Sequence, residues 1–372
     1  MVHGAESGVF LSSLVGHGTE EIARLPALAG EPAYRARQIS SWIYRKGARD
    51  FSNMTNLSAV LRGRLAQCHT LQRLPVLAMR EASDGTARKF LFGTPDGRSF
   101  EAVLLRAPER DTICVSTQIG CAWRCVFCAT GAMGWQRDLP PHEILSQVLV
   151  IRDALRDLGT EGFFNLVFMG MGEPLANYDA LVHSIRVLQG DFGLGVGRRR
   201  MTVSTVGLPD RIRQLAGEKV AVRLALSLNA TENETRSALM PVNRVHPMET
   251  VLPAVVEYRE RTGNRVTFEY VLIDGVNDSL EDARRLARLA RQCRCKVNLI
   301  RFNAHALTTL RPSPPERVLT FYREMLPVSP AVTIRESRGE DILAACGQLS
   351  TAYDTGAGGT AGGTGAPGMP CG

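Results

Sequence analysis

The spacing of hydrophobic and polar residues changes near residue 110: amphipathic helices and a hairpin are predicted before it, and alternating strands and helices after it. Before that point, residues 21–70 show the periodicity of amphipathic helices. There Ile39, Trp42 and Ile43 share one helix face, whereas basic residues occupy the other. We therefore expect a small helical unit in the N-terminal part of the chain.

Two apolar segments, Lys89–Phe92 and Ser99–Leu105, flank the sequence Pro95-Asp96-Gly97. Apolar runs of this length on both sides of a turn that contains Pro and Gly predict a β-hairpin.

Beyond residue 110, short apolar runs alternate with helical segments. Six strands are predicted, at Ile113–Ser116, Asn165–Met169, Arg200–Ser204, Val222–Leu228, Val266–Leu272 and Lys296–Ile300. Helices are expected between most of them, for example over His142–Leu158 and Ser279–Arg291. Strands joined by helical crossovers imply an α/β fold with a parallel sheet. An incomplete barrel and an open doubly wound sheet both fit, and in either one ligands bind at the carboxyl ends of the strands.

The patterns divide the chain into five predicted parts. These are an N-terminal extension (1–24), a helical accessory domain (25–80), a hairpin linker (81–110), a catalytic core (111–350) and a C-terminal tail (351–372). From Thr355 the tail is almost entirely Gly, Ala, Thr and Pro, so we expect it to be disordered and its Cys371 to be incidental. No apolar run approaches the ~20 residues of a membrane span, and the N-terminal stretch lacks the basic lead of a signal peptide. We therefore expect a cytoplasmic protein without membrane contact.

Charge and cysteine content narrow the class of protein. The 44 Lys and Arg residues against 37 Asp and Glu residues give a formal net charge of +7. Such a charge fits either a solvated basic surface or a phosphate-bearing partner such as nucleic acid. Nine cysteines in a cytoplasmic chain argue against a disulfide framework and for metal-binding or catalytic thiols. Four of them fall within Cys114–Cys128, and Cys346 stands apart in a cysteine-poor region.

Cys121, Cys125 and Cys128 form a C-x3-C-x2-C triplet just after the first strand of the core. Three thiolates on one loop can bind three irons of a 4Fe–4S cluster and leave the fourth iron open for a small molecule. Zinc is the competing interpretation, but a structural zinc site needs four ligands. No nearby histidine or second cysteine pair supplies the fourth one.

The stretch Phe168–Pro174 closes the second strand with the sequence Gly-Met-Gly-Glu-Pro. Its glycines allow the backbone to approach a ligand, and Glu173 offers an acceptor for an ammonium group. A Gly-Glu-Pro turn alone is a weak signal. One strand after a cysteine triplet, it indicates cofactor binding.

The cysteine triplet is the signature of the radical S-adenosylmethionine superfamily. Residues from about 25 to 350 resemble the RlmN family of RNA methyltransferases, which act on carbon 2 of adenine, and also the related Cfr carbon-8 enzymes. The matching stretches are Gln38–Leu57, Thr112–Gly134, Val167–Leu175, Thr202–Leu208, Leu224–Leu228, Leu239–Asn243, Thr267–Asp278, Lys296–Asn303 and Arg338–Leu349. The resemblance implies an incomplete (β/α)6 radical S-adenosylmethionine barrel with an N-terminal helical RNA-binding accessory domain.

The resemblance also implies roles for individual residues. Cys121, Cys125 and Cys128 would hold a 4Fe–4S cluster. S-adenosylmethionine would contact Gly172, Glu173, Ser204, Ser227, Leu228, Asn229 and Asn303. Cys346 matches the cysteine that carries the methyl group, Cys114 the second catalytic cysteine, and Glu101 the proton acceptor. Outside this context, Cys346 would be taken as a buried apolar residue and Glu101 as a surface carboxylate. Cys68, Cys293 and Cys295 are expected to be core or neutral positions.

The two extra thiols have a chemical reason. A ring carbon between two nitrogens is electron-poor and a methyl sulfonium is itself an electrophile, so direct transfer between them should fail. In the resembling enzymes one S-adenosylmethionine methylates a cysteine thiolate, and a second supplies a radical that removes hydrogen from that methyl group. The methylene carbon then joins Cys346 to the base. Attack by Cys114 releases the product and leaves a Cys114–Cys346 disulfide.

The family's targets are an adenosine of 23S rRNA (position 2503) and adenosine 37 of certain tRNAs, with a reductant such as flavodoxin as electron donor. We expect a monomer acting on unstacked bases. Two alternatives stay open: a Cfr-like carbon-8 methyltransferase, and a non-catalytic iron–sulfur RNA-binding protein. Arg338-Gly339-Glu340-Asp341 favours the carbon-2 enzymes. Two residues depart from the family pattern, because Asn229 replaces a histidine and Arg301 a proline.

Overall fold

The computed structural model describes residues 11–159, 164–329 and 331–351. The first ten residues of the predicted N-terminal extension lie outside this range. So does the predicted disordered tail beyond residue 351, with its Cys371.

The strands alternate with helices along most of the core. In chain order the strands are β1 (Ser12–Ser13), β2 (His69–Thr70), β3 (Val76–Glu81), β4 (Ala87–Gly93), β5 (Ser99–Leu105), β6 (Thr112–Cys114), β7 (Gln118–Ile119), β8 (Arg137–Asp138), β9 (Asn165–Phe168), β10 (Met201–Thr205), β11 (Arg223–Ser227), β12 (Val266–Leu272), β13 (Lys296–Arg301) and β14 (Val332–Arg335). The helices are α1 (Thr19–Ala23), α2 (Tyr34–Ser41), α3 (Ala59–Cys68), α4 (Ala129–Ala132), α5 (Pro141–Asp157), α6 (Tyr178–Gln189), α7 (Pro209–Gly217), α8 (Asn233–Leu239), α9 (Met248–Thr262), α10 (Leu280–Cys293) and α11 (Pro315–Met325).

Ten of these strands form one sheet in the order β14-β13-β12-β11-β10-β9-β6-β5-β4-β3. Strands β6 and β9 to β14 run parallel, and β5, β4 and β3 continue the sheet as an antiparallel extension. Within the described residues no pairing joins β14 to β3, so the barrel is incomplete. The predicted α/β class with a parallel sheet is confirmed.

The predicted number of parallel strands is corrected from six to seven, because β14 was not predicted. Its four residues lie at the edge of the sheet, where Val332 is buried but Thr333 is exposed. A half-exposed strand of this length leaves no apolar run that a sequence pattern can detect. The predicted hairpin is present as β4 and β5, with Gly97 in a left-handed conformation (φ 76°) in its turn.

The antiparallel extension begins earlier than the hairpin. Strand β3 falls in the part of the chain that the sequence assigns to the helical accessory domain, and it pairs with β4. Most of its side chains are exposed, because it is the outermost strand. The hairpin is thus part of the core sheet, and the domain boundaries at 24, 80, 110 and 350 stay predictions.

Arginine side chains hold the N-terminal helical segments on the core. Helix α2 continues into a π-helical turn, Trp42–Lys46, that ends at Gly47. The carbonyl groups at a helix end lack partners within the helix. Here Arg156 of α5 donates to the carbonyl of Arg45 (2.9 Å), Arg152 donates to that of Tyr44, and Arg73 donates to that of Gly47 (2.9 Å). These bonds fix the segment against α5.

Helix boundaries in the core follow local signals. Helix α10 begins after Ser279, whose hydroxyl accepts from the backbone N–H of Asp282, while the Asp282 carboxylate accepts from the Ser279 backbone. This reciprocal cap is the reason why the predicted start at Ser279 agrees with the structure. Throughout the described residues, the helices lack the combination of length and apolar character that crossing a membrane requires.

Candidate active site

A cavity of about 520 Å³ opens at the carboxyl ends of the parallel strands. Most of the predicted site residues lie in its wall: Cys114, Cys121, Cys125, Cys128, Gly172, Glu173, Ser204, Ser227, Asn229, Asn303 and Cys346. Two predicted residues, Glu101 and Leu228, are not part of the wall. This is the edge of the sheet at which ligands bind in α/β barrels.

The loop that carries the three cysteines runs from β7 to α4 and is held by its backbone on both sides. The N–H of Val126 donates to the carbonyl of Leu239 (3.0 Å), and the N–H of Ala129 donates to that of Gly347 (2.7 Å). Inside the loop, the N–H of Cys128 donates to the carbonyl of Cys125 (3.1 Å). These bonds place the loop between the segment after α8 and the segment that contains Cys346.

The three thiols fit a 4Fe–4S cluster. Burial raises the pKa of Cys121 to about 12 and also raises the pKa values of Cys125 and Cys128. The charges of Cys128 and Cys121 raise the pKa of Cys125 further, so the thiols are close enough to interact. Iron would supply the positive charge that thiolates need in such a site. In the described residues, no three His, Cys, Asp or Glu side chains converge as ligands of a single metal ion. A 4Fe–4S cluster does not require such convergence, because each of the three thiolates binds a different iron atom.

Glu173 is fixed at the carboxyl end of the second parallel strand. Its Oε2 accepts from the N–H of Val206 (2.9 Å) and its Oε1 from that of Leu175 (3.1 Å). Burial raises its pKa to about 7. The preceding Gly172 has φ 96°, and a Cβ atom there would lie 2.5 Å from the Cβ of Gln118. Only glycine therefore allows this turn to pack against β7 while Glu173 faces the cavity.

Asn229 and Asn303 present amide groups at the cavity. Asn229 has a left-handed conformation (φ 57°), which asparagine tolerates better than most residues, and its Oδ1 accepts from the N–H of Val271 (2.9 Å). Asn303 donates from Nδ2 to the carbonyl of Cys346 (3.1 Å). Its Oδ1 is buried and has no partner among the described residues. This atom is an acceptor for a polar group of a ligand.

Cys114 and Cys346 reach the cavity from distant parts of the chain. Cys114 is the last residue of β6 and is buried, whereas Cys346 is exposed. Burial raises the pKa of Cys114 to about 12, negative charge on Cys346 raises it further, and the guanidinium of Arg335 lowers it. The two thiols therefore interact electrostatically, and one of them is open to a substrate.

Glu101 and Leu228 lie behind the cavity wall. The Glu101 carboxylate is buried against Lys89 (3.0 Å) and accepts from the N–H of Ser350 (3.0 Å). Burial raises its pKa, and the positive charge of Lys89 opposes this shift. Leu228 is fully buried, and its carbonyl accepts from Nε of Arg236 (3.1 Å).

Several charged residues of the site were not predicted, among them Glu269, Arg335 and Arg236. Arg335 and Glu269 lie in the cavity wall, and Arg236 is fully buried behind it. Arg236 donates to the carbonyls of Val206 and Leu228, so it ties the ends of β10 and β11 together. Glu269 could have been identified from the sequence, because it is a charged residue within the otherwise largely apolar strand β12. No local pattern pointed to the two arginines.

Residues 115–287 match the Radical SAM superfamily, and residues 13–71 match the ribosomal RNA large subunit methyltransferase N-terminal domain. The second match covers most of the predicted accessory domain and begins before it. Both matches agree with the cavity chemistry and with the N-terminal helices.

The chain is similar over most of its length to proteins named dual-specificity RNA methyltransferase RlmN. It is 46% identical to the protein of Anaeromyxobacter sp. (strain Fw109-5), covering 89% of this chain and 88% of that protein. It is 44% identical to that of Syntrophobacter fumaroxidans, covering 87% and 94%. The crystal structure of a radical SAM methyltransferase from Sphaerobacter thermophilus superposes with a TM-score of 0.86 at 44% identity, covering 91% of this chain and 99% of that one. The cysteine-lined cavity and these similarities together show that the chain belongs to the RlmN family of radical S-adenosylmethionine RNA methyltransferases.

Proposed function

We propose that this protein methylates carbon 2 of adenosine in 23S rRNA, at a site of the 2503 type, and of adenosine 37 in tRNA. The observation that carries the proposal is the placement of Cys114 and Cys346 in the wall that also contains the cysteine triplet. Methyl transfer through a cysteine needs two thiols beyond the triplet, one to carry the methyl group and one to release the product. The name of the relatives, dual-specificity RNA methyltransferase, supports two RNA substrates.

Cys121, Cys125 and Cys128 would hold the cluster, and its open iron would bind S-adenosylmethionine. When bound, the pair supplies a carbon-centred radical that can remove a hydrogen atom from a methyl group. We assign contacts with S-adenosylmethionine to the residues at the strand ends: Gly172, Glu173, Ser204, Ser227, Leu228, Asn229 and Asn303. Leu228 would act through its backbone, because its side chain is buried behind the wall.

Cys346 is the proposed methyl carrier. Its thiolate attacks the methyl carbon of one S-adenosylmethionine, so that an S–CH3 bond forms and S-adenosylhomocysteine leaves. A second S-adenosylmethionine is consumed when the methyl group is activated, which makes two per turnover. Cys346 suits this role because it is exposed, and its position is fixed by the Asn303 amide.

Cys114 is the proposed resolving residue, and Glu101 the proposed proton acceptor. The Cys114 thiolate attacks the sulfur of Cys346 and forms an S–S bond, while the bond between Cys346 and the methylene carbon breaks. The methylene carbon keeps the electron pair of that bond and takes up a proton from solvent to become the methyl group. The unpaired electron that radical addition leaves on the base would return to the bound cluster. Glu101 would take the ring proton. Its carboxylate is bound to Lys89 and Ser350, so this transfer requires the segment around Cys346 to move.

The proposed partners are 23S rRNA, tRNA and a reductant such as flavodoxin, with the protein acting as a monomer. Mass spectrometry of rRNA and tRNA from cells that lack the gene, with and without the protein restored, tests the function. We expect 2-methyladenosine in both RNAs. Exclusive formation of 8-methyladenosine would instead identify a Cfr-like enzyme. A protein that binds RNA but releases no 5′-deoxyadenosine on reduction would be a non-catalytic binder.

A further inference from the structure

Exposed apolar side chains lie on the cysteine loop and on the segment after α8, which packs beside it. Val126 is 43% exposed and Val245, in the segment after α8, is 68% exposed. Trp123 lies beside His246, with 6.4 Å between the ring centroids. The Val126–Leu239 backbone bond and this ring contact bring the two segments together. We call this patch the loop surface; its residues are Trp123, Arg124, Val126, Arg244, Val245 and His246.

The charge of the loop surface is positive. Arg124 and Arg244 are both exposed. Neither takes part in any of the salt bridges between described residues. An apolar centre flanked by uncompensated arginines is the composition of a protein interface, and it complements an acidic partner. Unpaired arginines also steer such a partner toward the surface from a distance.

The position of the loop surface separates it from the site of RNA chemistry. Arg124 and Val126 are the direct neighbours of Cys125, so a molecule bound there contacts the loop that would hold the cluster. Directly after the triplet, Ala129 contacts the Cys346 segment through the Ala129–Gly347 backbone bond. None of the six residues of the loop surface lies in the wall of the cavity that contains Cys346, so a protein docked on them would not need to contact that wall.

We propose that the loop surface is the docking site of an acidic one-electron donor protein of the flavodoxin type. This inference rests on the proposed function, which needs one external electron for each reductive cleavage of S-adenosylmethionine. In the docked complex the donor loses one electron and the holoenzyme gains it. Docking itself forms and breaks no covalent bond.

The test uses the holoenzyme with the double variant Arg244→Glu/Val245→Asp and flavodoxin as the probe. The matched control, Arg265→Glu/Leu319→Asp, makes the same changes at exposed residues before β12 and on α11. Surface plasmon resonance should show at least tenfold weaker binding of oxidised flavodoxin to the loop variant and normal binding to the control. Binding to the unchanged protein should weaken as salt rises. Arg244→Lys, which keeps the charge, should bind normally.

Two further measurements distinguish docking of an electron donor from RNA binding and from a general loss of activity. Formation of 5′-deoxyadenosine should fall at least tenfold in the loop variant with reduced flavodoxin but stay unchanged with dithionite, which needs no docking site. RNA affinity should also stay unchanged. Equal flavodoxin affinity of the loop variant and the unchanged protein would overturn the proposal, and a selective loss of RNA affinity would assign the surface to RNA. If the unchanged protein releases no 5′-deoxyadenosine even with dithionite, the proposed function fails, whereas the flavodoxin affinities still decide the docking site.

Discussion

Lys89 and Glu101 form a buried ion pair, with 3.0 Å between Nζ and Oε1, and each also binds the segment that carries Cys346. Lys89 donates to the carbonyl of Leu343 (3.2 Å), on one side of Cys346. Glu101 accepts from the N–H of Ser350 (3.0 Å), on the other. The pair therefore holds the segment that contains Cys346 on both sides and connects it to β4 and β5.

Removing one partner of this pair should destabilise the protein, because the other charge stays buried without compensation. For Glu101→Ala we expect a loss of about 3 kcal/mol in the free energy of unfolding. The double variant Lys89→Met/Glu101→Ala should recover part of this loss, since no unpaired charge remains. The double-mutant cycle compares the free energies of unfolding of the unchanged protein, Lys89→Met, Glu101→Ala and the double variant, each measured by chemical denaturation. Strictly additive losses would contradict the pairing.

Cluster binding should depend on each cysteine of the triplet. Cys125→Ala should lose the brown colour, most of the iron and all activity after anaerobic reconstitution, because the proposed ligand set consists of the three thiolates of the triplet. Cys293→Ala is the control for loss of a cysteine outside the triplet, since Cys293 is buried at the end of α10. Iron content near normal in Cys125→Ala would count against the assignment.

Release of the RNA from Cys346 should accelerate as pH rises. Burial raises the pKa of Cys114 to about 12, so near neutral pH almost all of this thiol is protonated. Below that pKa the thiolate fraction, which is the attacking species, grows about tenfold per pH unit. The measurement is the decay of the covalent RNA–protein species in single turnovers between about pH 7 and 8.5. A decay rate independent of pH would mean that attack by Cys114 does not limit release.

Basic residues of the N-terminal helices should contribute phosphate contacts to RNA binding. The sequence points to Arg35, Arg37, Arg45 and Lys46 for this role. In the structure Arg35 donates to the carbonyl of Asn56 and Arg45 to that of Gly193, whereas Arg37 and Lys46 are exposed and contact aromatic rings. Arg37→Glu/Lys46→Glu is therefore the better variant, since it disturbs no backbone contact.

That variant should weaken RNA binding and flatten its salt dependence, because fewer counterions are released. Cleavage of S-adenosylmethionine without RNA should be unaffected. The control is Arg265→Glu, at the amino end of β12. Unchanged RNA affinity of the double variant would show that Arg37 and Lys46 are solvent-exposed side chains that make no contact with RNA.

The predictable parts of the site are those encoded by short sequence spacing. The cysteine triplet and the Gly172–Glu173 turn each lie on one loop, so their chemistry is visible without a fold. Arg335 was missed because its strand is short and half exposed, and nothing local marks it as a cavity residue.

Contacts between distant segments could not be predicted from residue patterns. The Asn303–Cys346 bond joins residues that are 43 positions apart in the sequence. Lys89 and Glu101 lie on the two strands of the predicted hairpin, but the residue pattern does not give the strand register that brings the two charges together. The resemblance to a known family placed Glu101 and Cys346 in one reaction, but not the lysine that binds Glu101. Such partners depend on the packing of the whole sheet.

The two-thiol mechanism is tested most directly by Cys114→Ala expressed in cells. If Cys114 only resolves the adduct, this variant still methylates Cys346 and adds it to the base, and then stalls with RNA attached. A denaturing gel should show a slower-migrating, nuclease-sensitive species that is absent from Cys114→Ala/Cys346→Ala. Full turnover by Cys114→Ala, with no adduct, would contradict the resolving role and with it the proposed mechanism.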